Sequence, residues 1–206
     1  AHSVAVVPFT GNWKDLGTWN TLTDELSCPI IGNAVLGTHC KNTHVINELQ
    51  IPIYVDGLKD VVVAACADGI LVCEKEYSEG IKDAVENLSS RPMYEERRWG
   101  TYRVLDDSIY DDGCCSLTRS IIINPGKYTS YHIHHHRTET WTFVAGEGVC
   151  VINGNEQYVK AGDTVIIPKD HNHAVKAVTK LTLIEVQSGR SLIAEDIEKI
   201  EWNWSK

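Results

Sequence analysis

Residues 131–141 read YHIHHHRTETW, with four histidines inside five positions and Glu139 three residues after the last of them. Purification tags also cluster histidines, but tags sit at termini, whereas this run is internal and flanked by apolar text. Read as a strand over residues 129–136, the run puts His132, His134 and His136 on one face and His135 on the other, because side chains alternate along a strand. Glu139 opens the next strand after a short turn. Further on, GDTVIIPKDHNH brings His171 and His173 to the start of another strand. Two neighbouring histidines, a carboxylate and a distant histidine facing one interior form a donor set for a divalent transition metal with open positions. The competing reading is an interior whose histidines only hydrogen-bond.

The text around this run predicts strands. After Trp99 the candidates are residues 102–106, 117–123, 140–144, 148–152, 156–159, 164–167, 173–177 and 181–186, separated by NPG, GEG, NGN and AGD turns. Many short strands with glycine-rich turns predict a small barrel or sandwich. Between Gly32 and Cys73 the pieces NAVLG, THVIN, IPIYVDG, KDVVVAACADG and ILVC predict short strands wound as coils of a solenoid-like sheet. A helix capped by Thr18 is expected to carry Trp19, Leu22 and Leu26. Another over residues 78–88 should present Ile81, Val85 and Leu88 on one face. The run SSRPMYEERRWG reads as linker, so the boundary is set near residues 91–96, giving units 1–92 and 93–206. The fold class expected is mainly β, with a few helices.

Composition narrows the partners. The chain of 206 residues carries 19 Lys+Arg against 28 Asp+Glu, a net charge of -9. That balance opposes nucleic acid and anionic membranes, both of which need a basic face. No apolar run approaches the roughly 20 residues of a membrane span, and AHSVAVVPF lacks the basic region of a signal peptide. Seven cysteines, an odd number with no CxxC pair, fit a reducing cytoplasm. Cys66, Cys73 and Cys150 are expected to be buried free thiols.

The spacing carries a more specific signal. Gly126, five residues, His132, one residue, His134, four residues, Glu139, six residues, Gly146 resembles the first motif of the cupin family; Gly162, five residues, Pro168, four residues, His173 resembles the second. The resemblance implies a double-stranded β-helix (jelly-roll) barrel with His132, His134, Glu139 and His173 as metal ligands. Zinc, nickel, cobalt or manganese would suit isomerase chemistry, and iron would suit oxygen chemistry.

Longer matches extend this. RRWGTYRVL, NPGKYTSYHIHHHRTETW and LIEVQSG resemble the C-terminal isomerase domain of the bifunctional mannose-1-phosphate guanylyltransferase/mannose-6-phosphate isomerase family, and VVPFTGNWKDLGTW resembles a segment of the sugar nucleotidyltransferases. The resemblance implies the back part of such an enzyme: a nucleotidyltransferase remnant in residues 1–92, then a cupin that interconverts mannose 6-phosphate and fructose 6-phosphate for GDP-mannose and polysaccharide biosynthesis. Asp15 matches an acidic magnesium-holding position, yet the chain contains no G-G-x-G-x-R-L phosphate loop. His136 and His171 are the candidates for moving the proton, and Arg137, Lys127 and Lys169 for the phosphate. A sugar phosphate is the expected partner, and a homodimer is compatible. The chain departs from the family pattern where His132 replaces Gln, Thr140 replaces His, Arg98 replaces Pro, and Ala174 and Lys199 replace arginines. Loss of the arginine at Ala174 predicts weak phosphate binding. A cupin of dioxygenase-like chemistry and a non-catalytic sugar-binding or assembly module are the alternatives.

Overall fold

Among residues 5–88 and 91–204, which the computed structural model describes, regular structure begins at Thr18. The Thr18 hydroxyl accepts from Thr21 N at 3.2 Å, and Thr18 N donates to the Thr21 hydroxyl at 3.3 Å, a reciprocal cap on α1, Trp19–Glu25. Strands β1 (Ile30–Gly32), β2 (Ala34–Leu36), β3 (His44–Asn47), β4 (Ile53–Val55), β5 (Val61–Cys66) and β6 (Gly69–Glu74) follow. β1, β3 and β5 pair in parallel, as do β2 and β4, so successive short strands stack as coils. Val45, Val55, Val61 and Val63 form the core between them. β1 was not anticipated. Its last residue, Gly32, has φ 85° and sits where a Cβ would come within 1.9 Å of the Asn47 carbonyl oxygen, so only glycine fits the coil there.

The helix expected over residues 78–88 is shorter. α2 spans only Ile81–Val85, between 3₁₀ turns Lys75–Gly80 and Glu86–Leu88. Val85 and Leu88 are exposed, so the expected apolar face is not buried. The chain divides into two compact units, Ala1–Ser90 and Arg91–Lys206.

The second unit contains β7 (Tyr94–Arg97), β8 (Gly100–Ile109), β9 (Cys115–Ile123), β10 (His132–Ile133), β11 (Arg137–Ala145), β12 (Glu147–Ile152), β13 (Asn155–Lys160), β14 (Thr164–Ile167), β15 (His173–Ala177), β16 (Leu181–Gly189) and β17 (Glu198–Lys199). One sheet runs β14-β11-β16-β9-β8-β7, the other β13-β12-β15-β10-β17. From β9 to β16 the chain passes repeatedly from one sheet to the other, which is the winding of a double-stranded β-helix. Ile123, Trp141, Phe143, Leu181, Leu183, Cys150 and Val175 fill the core. Asn153 and Gly154, with φ 47° and 80°, make the two-residue hairpin between β12 and β13.

Three expectations need correction. Tyr94–Arg97 lies in the presumed linker, yet it is a strand paired with β8, with Arg97 opposite Gly100 across a tight turn. The strand expected over residues 129–136 is only His132–Ile133, because the amides of His135 and His136 donate to the Asp196 carboxylate instead of a ladder. Cys66 and Cys73 are half-buried, whereas Cys150 is fully enclosed, and burial pushes its thiol up to about 12.

Candidate metal centre

His132 and His173 face each other in register across β10 and β15. His134 lies just beyond β10, with its ring centroid 4.6 Å from that of His132 and 5.3 Å from that of His173. Each Nδ1 meets a backbone carbonyl: His132 that of Ser130 at 2.7 Å, His173 that of His171 at 2.8 Å, and His134 that of Asp196. A carbonyl oxygen only accepts, so every Nδ1 carries a hydrogen, and in the neutral ring Nε2 is the nitrogen with the lone pair. Those lone pairs converge.

The Nε2 atoms of His132 and His134 are 3.0 Å apart. Glu139, from β11, brings Oε1 to 3.3 Å of His134 Nε2 and Oε2 to 3.4 Å of His173 Nε2. His173 Nε2 is buried with no hydrogen-bond donor among the described residues. With the rings neutral, acceptor faces acceptor at a largely buried cluster, an arrangement that a shared cation stabilises. Three imidazoles and one carboxylate suit a divalent transition metal. His132, His134 and His173 satisfy this geometry together, their donor atoms all lying within 4.8 Å of one another.

Without a metal, protons take up part of the cation's role: burial lowers His173, but its contact with Glu139 and that carboxylate's negative charge raise it overall. Burial alone would raise Glu139, but contacts and charge from His134 and His173 hold it well below the usual carboxylate range. Burial, with the neighbouring His173, pushes His132 down to about 3, so this imidazole stays neutral and ligand-ready. Trp141 Nε1 and Gln187 Nε2 each donate to Glu139 at 3.1 Å and fix its orientation.

His132 and His134 open on a cavity of about 600 Å³ inside the barrel. Arg91, Arg97, Arg119, Arg137 and Lys199 line it, together with Glu95, Glu185 and Tyr102. Arg119 Nε donates to Glu185 at 2.5 Å, and its guanidinium lies 5.0 Å from the Tyr102 ring. Arg97 pairs with Glu95 at 2.7 Å. Burial pushes Glu185 up and the Arg119 charge pulls it down, while the nearby Glu139 carboxylate adds to the rise; the net shift is upward. Sequence reading missed Arg119, Glu185 and Gln187. Their signal was present: LTRSI and LIEVQ set polar residues among the inward-facing apolar positions of β9 and β16.

Other expected site residues lie elsewhere. His136 is exposed, beside a shallow depression with Ile193 and Glu198. His171 is half-buried, its Nδ1 3.1 Å from the Lys169 carbonyl. Lys127 and Lys169 are exposed and do not line the cavity. Arg137 does line it, but its guanidinium is bonded to Gln187 at 2.8 Å and to the Ile193 and Asp196 carbonyls. His135 points outward, 2.7 Å from Asp170. Asp15 is exposed and accepts from Gly17 N at 2.9 Å, a turn contact ahead of α1. Ala174 is fully buried against Tyr131, Val151, Trp202 and Trp204. Strand alternation turns it away from His173, so its difference from arginine does not touch the cavity wall.

Residues 86–202 match the family described as mannose-6-phosphate isomerase C-terminal. The mannose-1-phosphate guanylyltransferase ManC of Salmonella typhimurium is 31% identical over 95% of this chain and 42% of its own length. The xanthan biosynthesis protein XanB of Xanthomonas campestris is 32% identical over 95% of this chain and 43% of its own. The chain therefore spans less than half the length of these relatives. Among solved structures, the capsular polysaccharide assembling protein CapF of Staphylococcus aureus aligns with a TM-score of 0.46 at 20% identity, covering 56% of this chain and 33% of that one. With more than half its length in the matched region, and with that region holding the whole histidine–glutamate cluster, the chain belongs to the mannose-6-phosphate isomerase C-terminal family.

Proposed function

We propose that the barrel holds a divalent transition metal through His132, His134, Glu139 and His173, and that it interconverts mannose 6-phosphate and fructose 6-phosphate. The observation that carries this is the convergence of three carbonyl-bonded imidazoles and a buried carboxylate, two of the imidazoles lining a cavity that also carries arginines and Lys199. Zinc, nickel, cobalt or manganese fits the donor set. A divalent ion held there would supply positive charge to polarise a sugar oxygen. The chain's own groups do the rest. Glu185 lines the cavity and is shifted toward neutrality, so its carboxylate is the group assigned to carry the proton between C1 and C2. Lys199, in register with His132, and Arg97 are the cations assigned to the phosphate.

Family membership and the relatives' names support a place in GDP-mannose and polysaccharide biosynthesis, with residues 1–92 as the remnant of a guanylyltransferase region. Incubating metal-loaded protein with fructose 6-phosphate in deuterated water tests the isomerase. Deuterium should enter at C1 and C2, and Glu185→Gln should abolish entry while metal content holds. No exchange with any of the four metals, alongside measurable sugar-phosphate binding, would replace this reading with a non-catalytic binding module. Oxygen consumption by iron-loaded protein would replace it with dioxygenase-like chemistry.

A further inference from the structure

Asp196 lies in the connection between β16 and β17, about 60 residues from the histidine run, and is only 6% exposed. Its carboxylate accepts from the His135 amide at 2.9 Å and the His136 amide at 3.2 Å. The same carboxylate sits 3.4 Å from Arg137 Nε. Its backbone carbonyl accepts from His134 Nδ1 and, at 2.8 Å, from an Arg137 terminal nitrogen. Arg137 also donates to the Ile193 carbonyl at 3.2 Å. One residue therefore ends β10, anchors the final segment and meets the imidazole of a candidate ligand.

The consequence concerns which nitrogen of His134 is free. Arg137 Nη2 also lies 3.1 Å from His134 Nδ1, and a guanidinium only donates. Left alone with Arg137, Nδ1 would accept, the hydrogen would move to Nε2, and the lone pair would point away from the cluster. The Asp196 carbonyl forces the opposite tautomer. Its carboxylate keeps it there, because the two captured amides and Arg137 leave the carbonyl little freedom to turn. We infer that Asp196 is a positioning residue for the metal centre, holding His134 in the Nδ1–H tautomer with Nε2 aimed at the cluster. The inference rests on the metal reading of the site. Partners of this kind, one bond removed from the metal, typically change affinity by about 10–100-fold.

Two measurements on the full chain separate the possibilities. Nitrogen-15 NMR of the histidine rings in chelated protein reports each tautomer without any metal. Calorimetric and visible-absorption titration with cobalt(II) reports affinity and ligand field. For Asp196→Ala, His134 should lose its fixed Nδ1–H signature, cobalt affinity should fall by roughly 10–100-fold and the cobalt band should change shape at saturation. Asp196→Asn keeps one amide acceptor but loses the charge opposite Arg137, so it should fall between wild type and Asp196→Ala. It serves as the test should the alanine variant not fold. Val159→Ala, a core change of the same barrel, should lower stability with tautomer and cobalt band unmoved. An unchanged His134 tautomer and an affinity within about threefold of wild type, in whichever Asp196 variant folds, would overturn the inference. If the wild type binds no cobalt, the metal reading fails, and the tautomer measurement alone decides whether Asp196 positions His134.

Discussion

Glu139 is 2% exposed, and donors and imidazoles surround both of its oxygens. Replacing it by Gln keeps the shape but removes the negative charge that balances a cation. Metal affinity should fall by more than the roughly 10–100-fold typical of indirect partners, with isotope exchange falling in parallel. Elemental analysis of protein purified without chelator checks this. His132 gives a pH signature. Its folded value near 3 lies below the ordinary 6.5, so between those values the unfolded chain binds the extra proton. The contribution from a neutral His132 is complete above 6.5 and is lost as pH falls toward 3. In chelated protein, the urea midpoint of wild type should therefore drop relative to His132→Gln between pH 7 and pH 5. A constant difference across that range would show that His132 is not buried in neutral form.

Register explains why these side chains meet. Across β9, β16 and β11, Arg119 faces Glu185, which faces Trp141; one rung away, Leu117 faces Gln187, which faces Glu139. The two rungs form one inward polar row, with Trp141 Nε1 and Gln187 Nε2 shared between the Glu139 and Glu185 carboxylates. A buried pair of this kind is costly to break from one side, because the remaining charge has no partner. Arg119→Met should lower stability by about 3–5 kcal/mol at neutral pH, while Arg119→Met with Glu185→Leu should recover much of that loss. Urea unfolding of both variants decides it; equal losses would mean that the pair is not coupled. In the other unit the Thr18 cap on α1 belongs to the same class of argument, and Thr18→Ala should cost about 1 kcal/mol.

For the chain as a unit, ligand binding is stability. A metal present at about 100 times its dissociation constant contributes about 2.7 kcal/mol, so chelation should lower the melting temperature on the order of 10 °C. Scanning calorimetry with and without chelator reads this directly. The 206 residues contain no glycine-rich phosphate loop, and Asp15 is an exposed turn residue. Without such a loop of backbone N–H groups to cradle the nucleotide phosphates, this chain alone should form no GDP-mannose from GTP and mannose 1-phosphate. A chromatographic product assay checks that expectation.

Alternation and turn chemistry are local, so most of the strands of a small barrel were legible in the amino-acid order, and the cupin-like spacing named His132, His134, Glu139 and His173, which the structure brings close together. What remained hidden depends on partners far along the chain. β7 reads as linker because its strand character comes from pairing with β8. His136 was placed beside its neighbours by a period of two that stops where Asp196 takes the His135 and His136 amides. Ala174 looked like a lost phosphate contact until the barrel turned it toward Trp202 and Trp204. Arg119 and Glu185, 66 residues apart, become one ion pair only when β9 and β16 align. Periodicity specifies which face a side chain takes; only the closed barrel decides what stands opposite, because burial makes every polar group depend on the donor or acceptor across from it.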